Sequence, residues 1–337
     1  MEDNVKQLRC ADYNVAWICA LPQVELLAAR LMLDEEYDPP TFDNDYDDNT
    51  YIYGEVEGHR VVLGTLPIGH AGNVNAGRLT GPMFKTFPNI KIVLLVGVGG
   101  GVPESLPRKN SLEDVHLGDV VVGWPGDGGP AVVYWDNGRA KVDGVFEMLG
   151  TIDKPDWKLT QALGVIGSNH DMHKTKFNDH LTRLQKSPKF AHPSLDSDRL
   201  FEASHHHVGD YESHCLSCDS SQIVPRLPRT EEHKGIFVFH HGRIATGNSV
   251  IQDAELRNKI RDSCNGVVCV EMEAAGVAIN GRCLVIRGIC DYADSHKNDL
   301  WKFTAAGNAA AFARELLRTV QPSIVRNLEG KIESKGE

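Results

Sequence analysis

Three acidic residues stand where apolar strand gives way to polar chain, and their positions limit the chemistry open to this sequence. Asp291 directly follows the run CLVIRGIC. A carboxyl group at the mouth of a buried strand is partly desolvated, which favours its protonated form and suits it to donate a proton. An aspartate that merely turns the chain at a strand end fits the same pattern. Glu271 and Glu273 flank Met272 where a strand over 266–270 changes to a helix over 272–279. Attraction between an acidic side chain and the positive end of a helix accounts for Glu271. The small residues Ala274, Ala275, Gly276 and Ala278 imply a helix packed tightly on its sheet. Glu273 then points into the crevice at the strand ends, where it can accept hydrogen bonds from two vicinal hydroxyls.

Glycine-rich segments offer places for a backbone to approach a ligand closely. The apolar run 91–97 is expected to stop in a turn through Gly97, Val98, Gly99, Gly100 and Gly101. No Gly-Lys-Ser/Thr follows, so it is not a nucleotide P-loop, and the dinucleotide spacing is absent as well. Gly69-His70-Ala71-Gly72-Asn73 opens a helix and could present N–H groups to a ligand. The segment HHHVGDYESHCLSC at 205–218 has Cys215 and Cys218 at metal-knuckle spacing, with His205, His206, His207 and His214 nearby. A second Cys-x-x-Cys is lacking, so this segment reads as a solvated loop beside the ligand, and no metal or cofactor is expected. Arg226 and Arg229, in VPRLPR, are candidate phosphate contacts.

These residues need a frame. Continuous apolar runs at 13–20, 91–97 and 283–289 have the pattern of strands buried on both faces. Further strands are expected at 51–56 and 60–66 (a hairpin around Glu57-Gly58), 119–123, 130–134, 236–239, 243–246 and 266–270. Helices are expected from Pro22 to about Leu33 and over 73–87, 158–170, 252–262, 272–279 and 303–318. The alternation implies an α/β fold with a mixed, mostly parallel central sheet flanked by helices. Ligands in such sheets sit beyond the C-terminal strand ends. That rule selects the turn after 13–20, the glycine segment, the stretch around 270–273 and the one after 283–289. Residues 171–235, polar and weakly periodic, read as an insertion with partial helix within one domain spanning 12–322; 1–11 and 323–337 read as flexible tails.

The 337 residues carry a formal net charge of −11 with no basic stripe, which argues against nucleic acid as a partner. There is no stretch of about 18 apolar residues, so no membrane span is expected. The first ten residues lack an apolar secretory core, which points to the cytoplasm, with the nucleus as the alternative. The eight cysteines fit a reducing compartment, and Cys19, Cys269, Cys283 and Cys290, within or beside apolar runs, read as small core residues.

Several motifs, in order, carry a resemblance: VAWICALPQVELLAARLMLDE, GTLPIGHAGNVNAG, IVLLVGVGGGVP, VHLGDVVV, GRIATGNSVIQD, VVCVEMEAAGVA and VIRGICDYAD. The chain resembles the purine nucleoside phosphorylase and nucleosidase superfamily. It is especially similar to the fungal branch whose domains occur alone or at the front of NACHT and ankyrin-type receptors. The resemblance implies that Met272 and Glu273 hold a ribose, that Asp291 protonates the purine at N7, and that Asn248, Val250 and Ile251 border the base. Val98 and Gly99 would lie beneath the sugar, with His70 close to the ligand. Leu95 and Val98 stand where phosphorylases of the hexameric type carry an arginine and a serine for phosphate. The resemblance therefore implies a hydrolase, with a glutamate after the first strand positioning water. That glutamate is expected near Val24; this chain offers Glu25, and one residue along a helix turns a side chain by about 100°. The substrate implied is a purine nucleoside or an adenine nucleotide such as ATP, and the assembly a homo-oligomer. A phosphate-dependent phosphorylase and a catalytically silent purine-sensing module are the competing readings.

Overall fold

The computed structural model describes residues 8–322 except 105–107, 153–154, 211–214, 234 and 279–282. Its sheet is built outward from β5 (Ile92–Gly101), which pairs in parallel with β1 (Val15–Cys19) and β14 (Cys283–Asp291). β1 pairs in parallel with β4 (His59–Thr65), and β3 (Tyr51–Val56) and β2 (Glu35–Tyr37) extend that edge in antiparallel fashion. On the other side, β13 (Cys269–Glu271) runs antiparallel to the end of β5. It leads to β12 (Ile244–Thr246), β7 (Val132–Tyr134) and β10 (Thr151–Ile152). β14 also pairs with β6 (Val120–Gly123), which pairs with β11 (Phe239–Gly242). The sheet is thus mixed, as expected. A separate hairpin of β8 (Gly138–Ala140) and β9 (Phe146–Met148) was not expected from the sequence.

Alternation along the central strands sends neighbouring side chains to opposite faces. Trp17, Leu94, Val96, Leu284 and Ile286 meet α7 (Lys302–Thr319), packing on Ala309, Ala310, Phe312, Leu316 and Leu317. Ile18, Val93, Leu95 and Val285 face the other way, toward Ala76, Leu79 and Met83 of α2 (Asn73–Thr86). Both faces are covered, which is why these strands read as unbroken apolar runs. Each fully buried large apolar side chain contributes about 1.5–3 kcal/mol.

Two expectations are corrected. The glycine segment is not a turn: β5 continues through Gly101, because β14 and β13 both bond to its far end. The missing side chains there make room for other groups; a Cβ on Gly97 would overlap the Glu25 carboxylate and the Arg287 guanidinium. The helix expected over 272–279 is the single turn α6 (Ala274–Val277), ending at Ala278; 279 lies outside the described residues.

The remaining helices are α1 (Leu27–Leu31), α3 (Trp157–Asp171), α4 (Phe177–Leu184) and α5 (Ala254–Ser263). Asp253 caps α5 by accepting from the N–H groups of Glu255 and Leu256. Within the 171–235 insertion, α4 docks on α7. Phe177 lies between Phe237 and Phe312, and His180 Nε2 is 2.8 Å from Glu315.

Candidate active site

The selected strand ends converge on one cavity of about 220 Å3. Its lining includes Glu25, Val98, Gly99, Val250, Ile251, Met272, Glu273 and Asp291, all expected from the sequence. Trp135, Arg287, Cys290 and Lys297 line it too.

Glu25 gets there by an unusual route. After Pro22 the chain makes a π-helical turn, Pro22–Leu26, in which the Leu26 N–H reaches back to the Leu21 carbonyl. Such a turn takes up one residue more than an α-turn does. The extra residue is taken up in the turn that carries Glu25, which stands one position beyond the expected Val24. The Glu25 carboxylate is buried and hydrogen-bonded by the backbone: Val98 N–H donates to Oε1 at 2.8 Å, and the N–H groups of Ala20 and Leu21 donate to Oε2 at 2.6 and 2.9 Å. Burial raises its pKa, against the opposing pull of Arg287 and these donors.

Arg287, fully buried at the middle of β14, is the hub. Its guanidinium donates to Glu271, donates to Glu273 Oε2 at 2.9 Å, and lies 3.9 Å from Glu25 Oε1. Burial disfavours the guanidinium charge, but three carboxylates around it more than offset this and hold it firmly protonated. Glu271 serves the helix start, as expected: it accepts from the N–H groups of Glu273 and Ala274. Glu273 accepts from Gly72 N–H at 3.0 Å, and burial raises its pKa. Three carboxylates thus gather around this one guanidinium.

Across the cavity, Asp291 is not the lone carboxyl expected. Lys297 makes an ion pair with its Oδ2, Ala293 N–H donates to Oδ1 at 2.8 Å, and the Cys290 thiol lies 3.0 Å from Oδ2. Burial keeps the Cys290 thiol well above its usual titration range, so it stays an S–H donor.

Four expected contacts lie outside the lining. His70 is exposed, and the neighbouring Ala71 faces the cavity. The N–H groups at the start of α2 are occupied within the protein: Gly72 serves Glu273, and Asn73 serves Asn248 Oδ1 at 3.3 Å. Asn248 spans Asn73 and Asp136, behind the wall formed by Ser249, Val250 and Ile251. Arg226 is buried against Asp198 (2.9 Å), the Val115 carbonyl and the Tyr292 hydroxyl. Arg229 grips Asp119 through two nitrogens at 3.0 and 2.8 Å. Both arginines fasten the insertion to the body of the domain.

Sequence reasoning missed Lys297 and Trp135. Lys297 follows its partner by six residues in a loop with no periodicity to mark it. Trp135 sits in a short strand-to-loop step whose direction depends on β12. Arg287 was visible, through its spacing to Asp291, but without a role.

A 5'-methylthioadenosine/S-adenosylhomocysteine nucleosidase from Neisseria meningitidis superposes with a TM-score of 0.54 at 21% identity, covering 91% of this chain and 99% of that one. Futalosine hydrolase of Helicobacter pylori superposes with a TM-score of 0.55 at 17% identity, covering 91% and 97%. The chain has the fold of the purine nucleoside phosphorylase and nucleosidase superfamily. No protein-family model matches it. A nucleotide-binding leucine-rich repeat (NLR)-like protein of Hyaloscypha variabilis is 34% identical over 317 residues, which are 94% of this chain and 30% of the relative. The chain thus spans less than a third of that relative's length, and the likeness supports the fungal, NLR-related branch. Among the described residues no helix is long and apolar enough to cross a membrane.

Proposed function

We propose that this chain hydrolyses the N-glycosidic bond of a purine nucleoside, releasing the free base. The observation that carries this reading is the placement of Glu25, Glu273 and Asp291 in one cavity, with Glu25 and Glu273 joined through Arg287. Trp135, Val250 and Ile251 supply an apolar wall for a planar base. Glu273 takes the ribose hydroxyls. A proton passes from the Asp291–Lys297 pair to N7, the C1'–N9 bond breaks with its electrons going to the base, and the sugar becomes oxocarbenium-like. Water held by Glu25 attacks C1' and gives its proton to that carboxylate.

Water is favoured over phosphate because the cations lining the cavity are already matched: Arg287 with the glutamates, Lys297 with Asp291, and Lys302 with Asp299 at 2.6 Å. The same matching, with Arg226 and Arg229 held elsewhere, favours a nucleoside over a nucleotide. Chromatographic base release from adenosine, inosine, guanosine, AMP and ATP, with and without phosphate, tests the reading. Base and free ribose in phosphate-free buffer are expected. Release only with phosphate would make the enzyme a phosphorylase, and no release with intact purine binding would make it a sensor.

A further inference from the structure

The reading of residues 205–218 as a solvated loop does not survive the structure. The ends of this stretch are clamped: Phe201 bridges Ile223, Glu202 N–H donates to the Gln222 carbonyl at 2.8 Å, and Val224 N–H to the Leu200 carbonyl at 2.8 Å. Between them Cys215 is buried at a left-handed φ of 63°, and Cys218 N–H turns back to its carbonyl at 3.3 Å. His214 lies outside the described residues.

His207 Nδ1 stands 3.5 Å from Cys215 Sγ and 3.4 Å from Cys218 Sγ, and neither cysteine is in a disulfide. Ligands about 2.0–2.3 Å from a tetrahedral zinc ion are separated by roughly 3.3–3.8 Å, so these spacings match two edges of such a tetrahedron. A second trio, His205, Cys218 and His296, shares Cys218, and within each trio the ligand atoms lie within 4.8 Å of one another. His296 is buried, stacks on Phe201 at 4.0 Å between ring centres, and has no hydrogen-bond partner on either ring nitrogen. A buried polar ring left unsatisfied is costly. His296 lies within 4.8 Å of Cys218, the ligand the two trios share, and a turn of its ring toward His207 and Cys215 would bring the first trio a fourth donor.

We propose that Cys215, Cys218, His207 and His296 bind a structural zinc ion. Binding takes the two cysteines as thiolates and releases their protons, while the imidazoles enter neutral. The ion would do more than fold a loop. His296 lies between Asp291 and Lys297 in sequence, and His207 N–H already donates to Ser295 Oγ at 3.0 Å. A cavity of about 150 Å3 separates Cys215 and His296 from Asp291. The ion would therefore bolt the insertion to the loop that presses Lys297 on Asp291, a role distinct from reaction at the sugar.

The test uses the full chain, purified under reductant, stripped with a chelator and titrated with Co2+. Expected are thiolate-to-cobalt charge-transfer absorption and the strong visible bands of tetrahedral cobalt. They should saturate at about one ion per chain and be bleached by Zn2+. Cys215→Ser with Cys218→Ser should abolish both bands; should that variant misfold, the wild-type titration still decides. His296→Ala should weaken cobalt binding while His205→Ala leaves it unchanged; the reverse result would overturn His296 as the fourth ligand. Absence of thiolate–cobalt absorption in the wild type, or a disulfide between Cys215 and Cys218, would overturn the site. None of these readouts depends on nucleoside turnover.

Discussion

Val98 donates its backbone N–H to Glu25 Oε1 at 2.8 Å, so the end of β5 fixes a carboxylate that belongs to the turn after β1. With Oε2 held by Ala20 and Leu21, this carboxylate cannot swing, and a single lone pair on Oε1 is left for water.

Replacing it by an amide should remove the base while giving up at least one of these hydrogen bonds, because an amide has one acceptor oxygen where the carboxylate has two. Glu25→Gln is expected to lower kcat by about 10²–10⁴-fold, the usual contribution of a general base, with substrate binding nearly unchanged. Single-turnover assays and binding by calorimetry check this; wild-type turnover in the variant would remove Glu25 from the mechanism.

The pH profile carries the same assignment. Burial raises the folded pKa of Glu25 above the ordinary value of 4.5, and the base must be ionised to act. Activity should fall as pH falls through that raised value, so the acid limb of kcat/KM should lie above the ordinary glutamate range. In Glu25→Gln that limb should vanish from the residual rate.

Asp291→Asn should cost at least about 100-fold in turnover, as loss of a general acid does. Lys297→Met, which leaves Asp291 in place, should lower kcat more than it raises KM, because it removes the group that holds the acid. Equal effects on both constants would show that Lys297 serves binding instead.

The insertion's attachment predicts a stability effect away from the cavity. Glu315 is fully buried and accepts from Arg318 and Lys176 N–H, with His180 at 2.8 Å. Burial pushes its pKa up, but Arg318 and His180 prevail and pull it down to about 2. A depressed carboxylate stabilises the fold above the unfolded value of 4.5, and that contribution is lost as pH falls toward about 2. Glu315→Gln should lower stability at neutral pH by about 1–3 kcal/mol and flatten acid denaturation in that window. An unchanged acid transition would show that the pair contributes nothing.

Arg226→Met separates the two roles open to that arginine. As a buried partner of Asp198 it should cost about 3–5 kcal/mol on removal, with the preference between adenosine and AMP unchanged. A selective loss of AMP turnover would return it to phosphate binding.

Much of this was legible in the sequence, for reasons tied to particular residues. Runs such as IVLLVG show a doubly covered strand because both faces of β5 are buried, and Glu273 and Asp291 are visible because acids at apolar strand ends are conspicuous. The glycine segment was misread because glycine signals a turn and close packing equally; only the crowding of Glu25 and Arg287 against Gly97 distinguishes them. The π-turn was invisible because periodicity assumes α-helical spacing. His296 was overlooked because its relation to Cys218 spans 78 positions and exists only in three dimensions.

At Gly288 the backbone of β14 touches that of α7: a Cβ there would overlap the Ala305 carbonyl. At its far end α7 is tied to the β3–β4 hairpin, where His59 Nε2 lies 3.0 and 2.8 Å from the carbonyls of Leu317 and Val320. The strand bearing Arg287 and Asp291 therefore cannot slide without dragging a whole helix and a distant hairpin with it. Entry and exit of a ligand then fall to the side of the cavity where Ser249 and Val250 stand exposed, against a fixed anvil.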